Sequence, residues 1–166
     1  VYNNIRFEFS DIDQASAFAT LFTGSNPCFS GIAGDKTFDF EKVKEVSILN
    51  DPEYLGNYTK ENYSPKNLFS STIGDELKIA SQGRSDVYSI APDAESAILS
   101  AGHAANGAFW MDNTNGKWAT TTYYKGIPWY VDRYNNGPES LASRLETMVW
   151  TPTLPMEKYD AFPYVL

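Results

Sequence analysis

The sequence predicts an α/β fold, and three features carry that expectation. A run of strict alternation opens it, with Ile5, Phe7 and Phe9 on one side and Arg6 and Glu8 on the other, the pattern of a half-buried strand over 4–9. Helical segments with legible ends at 13–23, 64–83 and 94–101 are interleaved with short β-type runs. A pair of strand-like runs, 107–112 and 117–123, is joined by Asn113-Thr-Asn-Gly116, the signature of a tight hairpin. Helices alternating with strands in one chain point to a layered α/β arrangement.

Taken in order, Asp13–Thr23 reads as a helix, with Asp13 as N-cap, Gly24 just past the end, and Phe18, Leu21 and Phe22 as its apolar stripe. Ser25–Asp35 holds Pro27, Gly31 and Gly34 and reads as loop. Phe38–Val46 fits either a short strand or a frayed helix, and Asp51–Ser64 a polar, Tyr-rich surface loop. Two Asn-x-Ser/Thr triplets, at Asn57 and Asn62, are glycan acceptors only in a eukaryotic secretory setting. Ser64-Pro65 looks like a cap followed by proline in the first turn, with Phe69, Ile73, Leu77 and Ala80 repeating at helical spacing up to Gly83. Asp86–Ala91 is strand-like, Pro92-Asp93 a turn, and Ala94–Ala101 a short helix stopped by Gly102. After the hairpin, Ile127–Asn135 and Pro138–Met148 read as two helices split by Asn136-Gly137. Pro152, Pro155 and Pro163 predict an extended end to the chain. No repeat or linker divides the sequence. One domain is expected, core-like over 1–103, with a hairpin and helical extension over 104–150 and a tail over 151–166.

Composition narrows the partners. With 13 Lys+Arg against 21 Asp+Glu, the 166 residues carry a net charge of -8, which repels phosphate backbones and anionic lipid. No nucleic acid is expected as partner. No apolar run approaches the roughly 20 residues of a membrane span, so no membrane insertion is expected either. The single cysteine, Cys28, excludes an internal disulfide framework and a multi-Cys zinc site. A chain that starts at Val1 directly on strand-like sequence, without Met or a leader pattern, suggests a mature or trimmed product.

Two sets of residues carry a resemblance. The first is Ala19-Thr-Leu-Phe-Thr-Gly-Ser-Asn-Pro27 followed by Gly31-Ile32. The second runs in order through Ser64-Pro-Lys-Asn-Leu68, Gly74-Asp-Glu-Leu77, Ser89-Ile90, Ala97-Ile-Leu-Ser-Ala-Gly-His103, Gly107-Ala-Phe-Trp110, Asp112 and Gly116-Lys117. Together, over residues 1–135, they resemble the alkaline phosphatase superfamily, and within it the type I phosphodiesterase/nucleotide pyrophosphatase group with its bacterial phosphatase relatives. The resemblance implies the N-terminal part of a three-layer α/β/α domain with a small β-hairpin subdomain, and an extracytoplasmic (periplasmic or secreted) location. It also implies phosphate-ester hydrolysis by two zinc ions held by Asp and His. In that chemistry a Thr or Ser at a helix N-terminus attacks phosphorus, where free N–H groups receive the anion, and a following Asn contacts phosphate.

Carried over by position, the catalytic parts are missing. The nucleophile slot, ten residues before Gly24, holds Gln14, with Ser16 as the fallback, and the phosphate-contacting Asn slot holds Asp35. Relatives with monoesterase activity place a Lys and an Arg after the Ser-Ile strand, where this chain reads Ala91-Pro-Asp-Ala-Glu95. Asp11, Asp13, Asp35, Asp93 and Glu95 would make the corresponding pocket acidic and hostile to phosphate. His103 is the only histidine and sits where the family keeps a non-ligand His, so a structural role donating to a backbone carbonyl is expected. The first metal-binding Asp would precede Val1, and the remaining ligands would lie beyond Leu166. Zinc is therefore expected only if ligands come from outside 1–166, and no metal site is expected within them.

The expected function is that of a fragment of a type I phosphodiesterase/nucleotide pyrophosphatase-like protein, catalytically inert on its own because nucleophile and metal ligands are missing. The alternative is an active metal-dependent phosphate-ester hydrolase completed by the C-terminal part of the parent chain, with Ser16 or water as nucleophile. A second alternative is a saccharide-binding module using Trp110 and Trp118 from the cluster that includes Tyr123, Tyr124, Trp129 and Tyr130; buried, the same rings would be core. Asp11-x-Asp13 and Asp112-Asn-Thr-Asn-Gly116 lack the spacing and closing Glu of a calcium loop. Expected partners are the remainder of the parent chain and a second copy, through an exposed sheet edge.

Overall fold

The computed structural model describes residues 6, 9–10, 12–40 and 42–149; the strand expected at 4–9 falls largely outside these residues and the tail at 151–166 wholly outside them. Helix α1, Gln14–Thr23, has the predicted ends. The Asp13 carboxylate accepts from the Ser16 N–H at 2.8 Å while the Ser16 hydroxyl accepts from the Asp13 N–H at 3.1 Å. This reciprocal pair satisfies two donors that a helix start leaves orphaned. Gly24 closes the helix at φ 67°. Helix α2, Pro27–Ser30, is a single turn inside the stretch expected as loop: Pro27 pre-sets its first turn and Gly31, at φ 80°, ends it.

Between Phe38 and Val46 the structure resolves the open alternative as strand, but as two strands. β1, Lys36–Asp39, pairs antiparallel with β2, Lys44–Ser47, in the register Phe38↔Glu45. Both strands are largely exposed, so no buried face wrote an alternation into the sequence. The Tyr-rich segment that follows contributes β3, Gly56–Asn57.

The helix expected over 64–83 is corrected to α3, Ile73–Ala80. Thr72 and Asp75 form a capping box eight residues downstream of the presumed start. Ser64 serves another purpose, its hydroxyl donating to the Asp51 carboxylate at 2.6 Å. The apolar spacing was misleading too, because Phe69, Ile73 and Leu77 are exposed.

Strand β4, Tyr88–Ala91, runs parallel to β5, Gly107–Asp112, across helix α4, Ala94–Ala101. β5 turns through Asn113–Gly116 into β6, Lys117–Thr121, and β3 adds to the far side of β6. The sheet order is β3-β6-β5-β4. The strand expected to reach Tyr123 stops at Thr121, where residues Thr122–Tyr124 turn as a 3-10 segment. Helix α5, Trp129–Asn135, starts after Pro128, and α6, Leu141–Leu145, starts after the Ser140 cap rather than at Pro138.

One face of the sheet is covered by α4, which in turn lies against α1; Ala15 and Ala19 of α1 and Ala97, Ile98 and Leu99 of α4 meet Ala108, Trp110 and Ala119 in the core. Small residues on both helices allow their backbones to approach. The loop leaving α4 is held by a buried carboxylate. Asp75 accepts from the N–H groups of His103 (2.9 Å) and Ala104 (2.7 Å) and from the N–H and hydroxyl of Thr72 (2.9 and 3.1 Å). Gly102 sits between them at φ 73°, where a Cβ would stand 2.3 Å from the Thr72 Oγ1. The buried Tyr124 hydroxyl donates to the Gly102 carbonyl at 2.7 Å, and burial drives that phenol well above its ordinary pKa. Among the described residues no helix is long and apolar enough to cross a membrane.

Candidate functional site

Packing α1 on α4 brings the N-terminal ends of the two helices together, and with them most of the residues singled out from the sequence. Gln14 is the first residue of α1. Its side-chain amide donates to the Ser96 hydroxyl at 2.7 Å, and that hydroxyl donates to the Asp93 carboxylate at 3.0 Å. The other Asp93 oxygen accepts from the Ser96 N–H at 2.9 Å, capping α4. On α1 the second Asp13 oxygen reaches the Asp35 N–H at 2.6 Å and so ties the loop after α2 to the helix start. Asp35 itself is exposed. Ser16 lies one turn into α1, fully buried, with its hydroxyl donating to the Asp13 carbonyl at 3.2 Å.

The electrostatics of this corner are uniformly acidic. Burial pushes the Asp13 carboxyl up, but the N–H and hydroxyl of Ser16 and the N–H of Asp35 outweigh it and hold the group below the ordinary carboxylate range. Glu95 goes the other way. Burial raises its pKa, a hydrogen bond from its own N–H opposes this, and the charges of Asp93, Asp35 and Asp13 raise it further. A helix N-terminus is an anion seat because its free N–H groups and dipole favour negative charge. Here a carboxylate already stands at each start, Asp13 accepting from the Ser16 N–H of α1 and Asp93 from the Ser96 N–H of α4.

The other predicted residues lie elsewhere. His103 Nε2 stands 2.8 Å from the Leu68 carbonyl oxygen, which only accepts, so Nε2 carries the proton and the ring donates to backbone as expected. Trp110 and Trp118 are not brought together. Trp110 pairs with Ala119 and Trp118 with Met111, which places the two indoles on opposite faces of the sheet. Trp110 is only 3% exposed and packs beside Tyr63, whereas Trp118 lines a groove under α5. Asp112 is occupied in its turn, accepting from the Thr114 N–H at 2.9 Å. Of the glycan triplets, Asn57 has a buried side-chain nitrogen and Ser64, closing the second triplet, is itself buried.

Sequence reasoning missed Ser96 and Asp75. Ser96 bonds Gln14 across 82 residues and Asp75 bonds His103 across 28, and no local pattern announces either contact. The capping box Thr72-x-x-Asp75 was the one signal that could have marked Asp75. Two-zinc chemistry fits these residues poorly. Zinc favours imidazole and thiolate beside carboxylate; His103 is turned to Leu68, the Asp13 oxygens accept from the N–H groups of Ser16 and Asp35, and the Asp93 oxygens accept from the N–H and hydroxyl of Ser96. Among the described residues no group of three or more His, Cys, Asp or Glu is placed to hold a metal ion.

Sequence and fold comparisons relate the chain to the alkaline phosphatase superfamily, over a part of that fold. It is 35% identical over 162 residues to alkaline phosphatase PafA of Elizabethkingia meningoseptica, covering 95% of this chain and 29% of that protein. It is 34% identical over 159 residues to alkaline phosphatase PhoV of Synechococcus elongatus, covering 90% of this chain and 28% of that protein. A protein of Myroides odoratus named calcium-transporting ATPase is 36% identical over 149 residues, 87% of this chain and 27% of its own length. The crystal structure of wild-type PafA matches with a TM-score of 0.75 at 36% identity, over 89% of this chain and 29% of that one. A PafA variant substituted at a threonine, an asparagine, a lysine and an arginine matches equally, at a TM-score of 0.75 over 88% of this chain. No family model matches. The chain thus spans less than a third of the length of the curated relatives it matches.

Proposed function

We propose that this chain is part of an extracytoplasmic protein of the type I phosphodiesterase/nucleotide pyrophosphatase-like branch whose phosphoryl-binding corner has been lost. Residues 1–166 neither bind nor hydrolyse phosphate esters and serve as a binding or structural domain. The observation that supports this reading is the internal occupation of the corner: Gln14 is bonded to Ser96, while the carboxylates of Asp13 and Asp93 sit on the two helix starts. A phosphate group brought there meets Asp35 and Glu95 as well. At an effective dielectric near 20, each carboxylate at about 4 Å opposes it by about 4 kcal/mol before screening. The resemblance puts Gln14, Asp35 and the base-free turn Ala91–Glu95 where family members carry a nucleophilic hydroxyl, a phosphate-contacting amide and basic residues. An amide is no nucleophile, and Ser16, the fallback, is buried with its hydroxyl committed to the Asp13 backbone.

Zinc content by elemental analysis, together with turnover of p-nitrophenyl phosphate by the purified protein and by any longer product of its gene, tests the reading. We expect neither stoichiometric zinc nor turnover from residues 1–166. Stoichiometric zinc with turnover abolished by Ser16→Ala would instead establish the active hydrolase, with Ser16 as its nucleophile.

A further inference from the structure

Strand β3 stops short of the full edge of β6. Its two residues, Gly56 and Asn57, lie opposite Thr121 and Thr120, and at Tyr58 the chain turns away with φ 61°. Among the described residues no strand therefore stands beside Trp118 on that side. Asn135, the last residue of α5, fills the gap with its side chain. Its amide oxygen accepts from the Trp118 N–H at 2.9 Å and its amide nitrogen donates to the Trp118 carbonyl at 2.8 Å. A primary amide offers a donor and an acceptor side by side, as the backbone of a neighbouring strand would. Asn135 is 2% exposed, but apolar burial holds the rest of α5 weakly, with Trp129 and Tyr130 73% and 53% exposed. At seven residues α5 is also far below the length at which a helix is stable by itself. A second clasp lies at the surface, where the Tyr58 hydroxyl donates to the Asp132 carboxylate and accepts from the Asn136 amide at 2.7 Å. Both flanks of α5 are turns: Lys125 and Gly126 stand at φ 67° and 82° before Pro128, and Gly137-Pro138 follows Asn136.

We infer that α5 is a strap that opens from the folded sheet on its own, with the pairing of Asn135 to the Trp118 backbone as its catch. Pivoting at its two flanking turns, the strap uncovers the edge of β6 at Trp118 and the apolar floor that Phe109 and Trp118 form beneath α5. Opening stays local for two reasons. The bonds that part are those of the catch and of the surface clasp, and water can replace each of them once α5 has left. The core between the sheet and α4 is not disturbed, because Trp110 and Ala119 face the opposite side from Trp118. Segments with few buried apolar contacts are the ones that open below the free energy of global unfolding. One buried side chain thus controls access to both the strand edge and the floor.

Amide hydrogen exchange of the 166-residue chain, read residue by residue by NMR at low urea concentrations, tests this. We expect the amides of Trp118 and α5 to exchange through an opening that urea barely affects, while those of β5 respond steeply because they await global unfolding. Asn135→Ala removes the catch and should speed exchange at Trp118 and along α5 by about tenfold. Ile98→Val, in the buried core, weakens the closed and the strap-open forms alike against the unfolded chain. It should speed exchange in β5 by about threefold or more and leave Trp118 and α5 unchanged. Exchange at Trp118 and α5 that rises with urea as steeply as in β5, or that quickens with Ile98→Val, overturns the inference. So does exchange there that Asn135→Ala leaves unmoved.

Discussion

Replacing Asp75 by asparagine preserves the shape of the side chain and removes half of its acceptor capacity. In the native protein one carboxylate oxygen takes the N–H groups of His103 and Ala104, and the other takes the N–H and hydroxyl of Thr72. Whichever way the new amide turns, its NH2 group faces two donors. The Thr72 hydroxyl can rotate away, but backbone N–H groups cannot. Hydrogen bonds to a charged group are worth about 1.5–3 kcal/mol each, and a buried donor left without a partner costs about 1–3 kcal/mol. With Asp75 only 4% exposed, solvent offers little relief. The orientation that keeps the His103 and Ala104 bonds abandons the Thr72 N–H, so the net loss is about 3 kcal/mol. For a domain of this size that lowers Tm by about 6–12 °C. Urea titration followed by circular dichroism measures it directly. A loss below about 1 kcal/mol would refute the assignment of Asp75 as the tie between α3 and the loop entering β5. Thr72→Ser, which keeps the hydroxyl, should cost less than the asparagine change.

Other consequences follow from the same contacts. Gly102→Ala places a Cβ against the Thr72 Oγ1 and the Asp75 carboxylate at a positive φ, and should destabilise by about 2 kcal/mol or more in the same titration. Glu95 has a raised pKa in the fold. The folded state therefore holds its proton to higher pH than the unfolded chain, and the stability this gives is complete below the unfolded value near 4.5 and lost as pH rises through the folded value. Glu95→Gln should accordingly stabilise the protein at pH 7 but not at pH 4; equal effects at both would sink this explanation. Asp13, with its lowered pKa, has the opposite sign. Its contribution is present above 3.8 and lost as pH falls through the folded value, so Asp13→Asn should cost stability at neutral pH and little in acid.

What could be read from the sequence was what neighbouring residues decide. Asp13 and Gly24 mark the two ends of α1, Asp93 and Gly102 those of α4, and Asn113–Gly116 the hairpin, because caps and turns act within a few residues. The same locality produced the error at 64–83. Ser64-Pro65 resembles a helix start, yet Ser64 is bound to Asp51 and the helix waits for Thr72, whose box with Asp75 satisfies its first turn. β1 and β2 left no pattern because neither buries a face. At the candidate site, the acidic character of the corner was legible from residue types. The bond from Gln14 to Ser96 and the occupation of both helix starts by carboxylates were not, since they depend on how α1 packs against α4. The two tryptophans were separated by a register of one residue, Trp110 against Ala119 and Met111 against Trp118, which only the paired strands define.

Titration of the 15N-labelled protein with inorganic phosphate, followed through the amides of Gln14, Asp35 and Ser96, tests most directly whether this corner has lost its anion. We expect these signals to stay in place as phosphate is added. Saturable shifts centred on Gln14 and Ser96 would contradict the occupation of the two helix starts by Asp13 and Asp93.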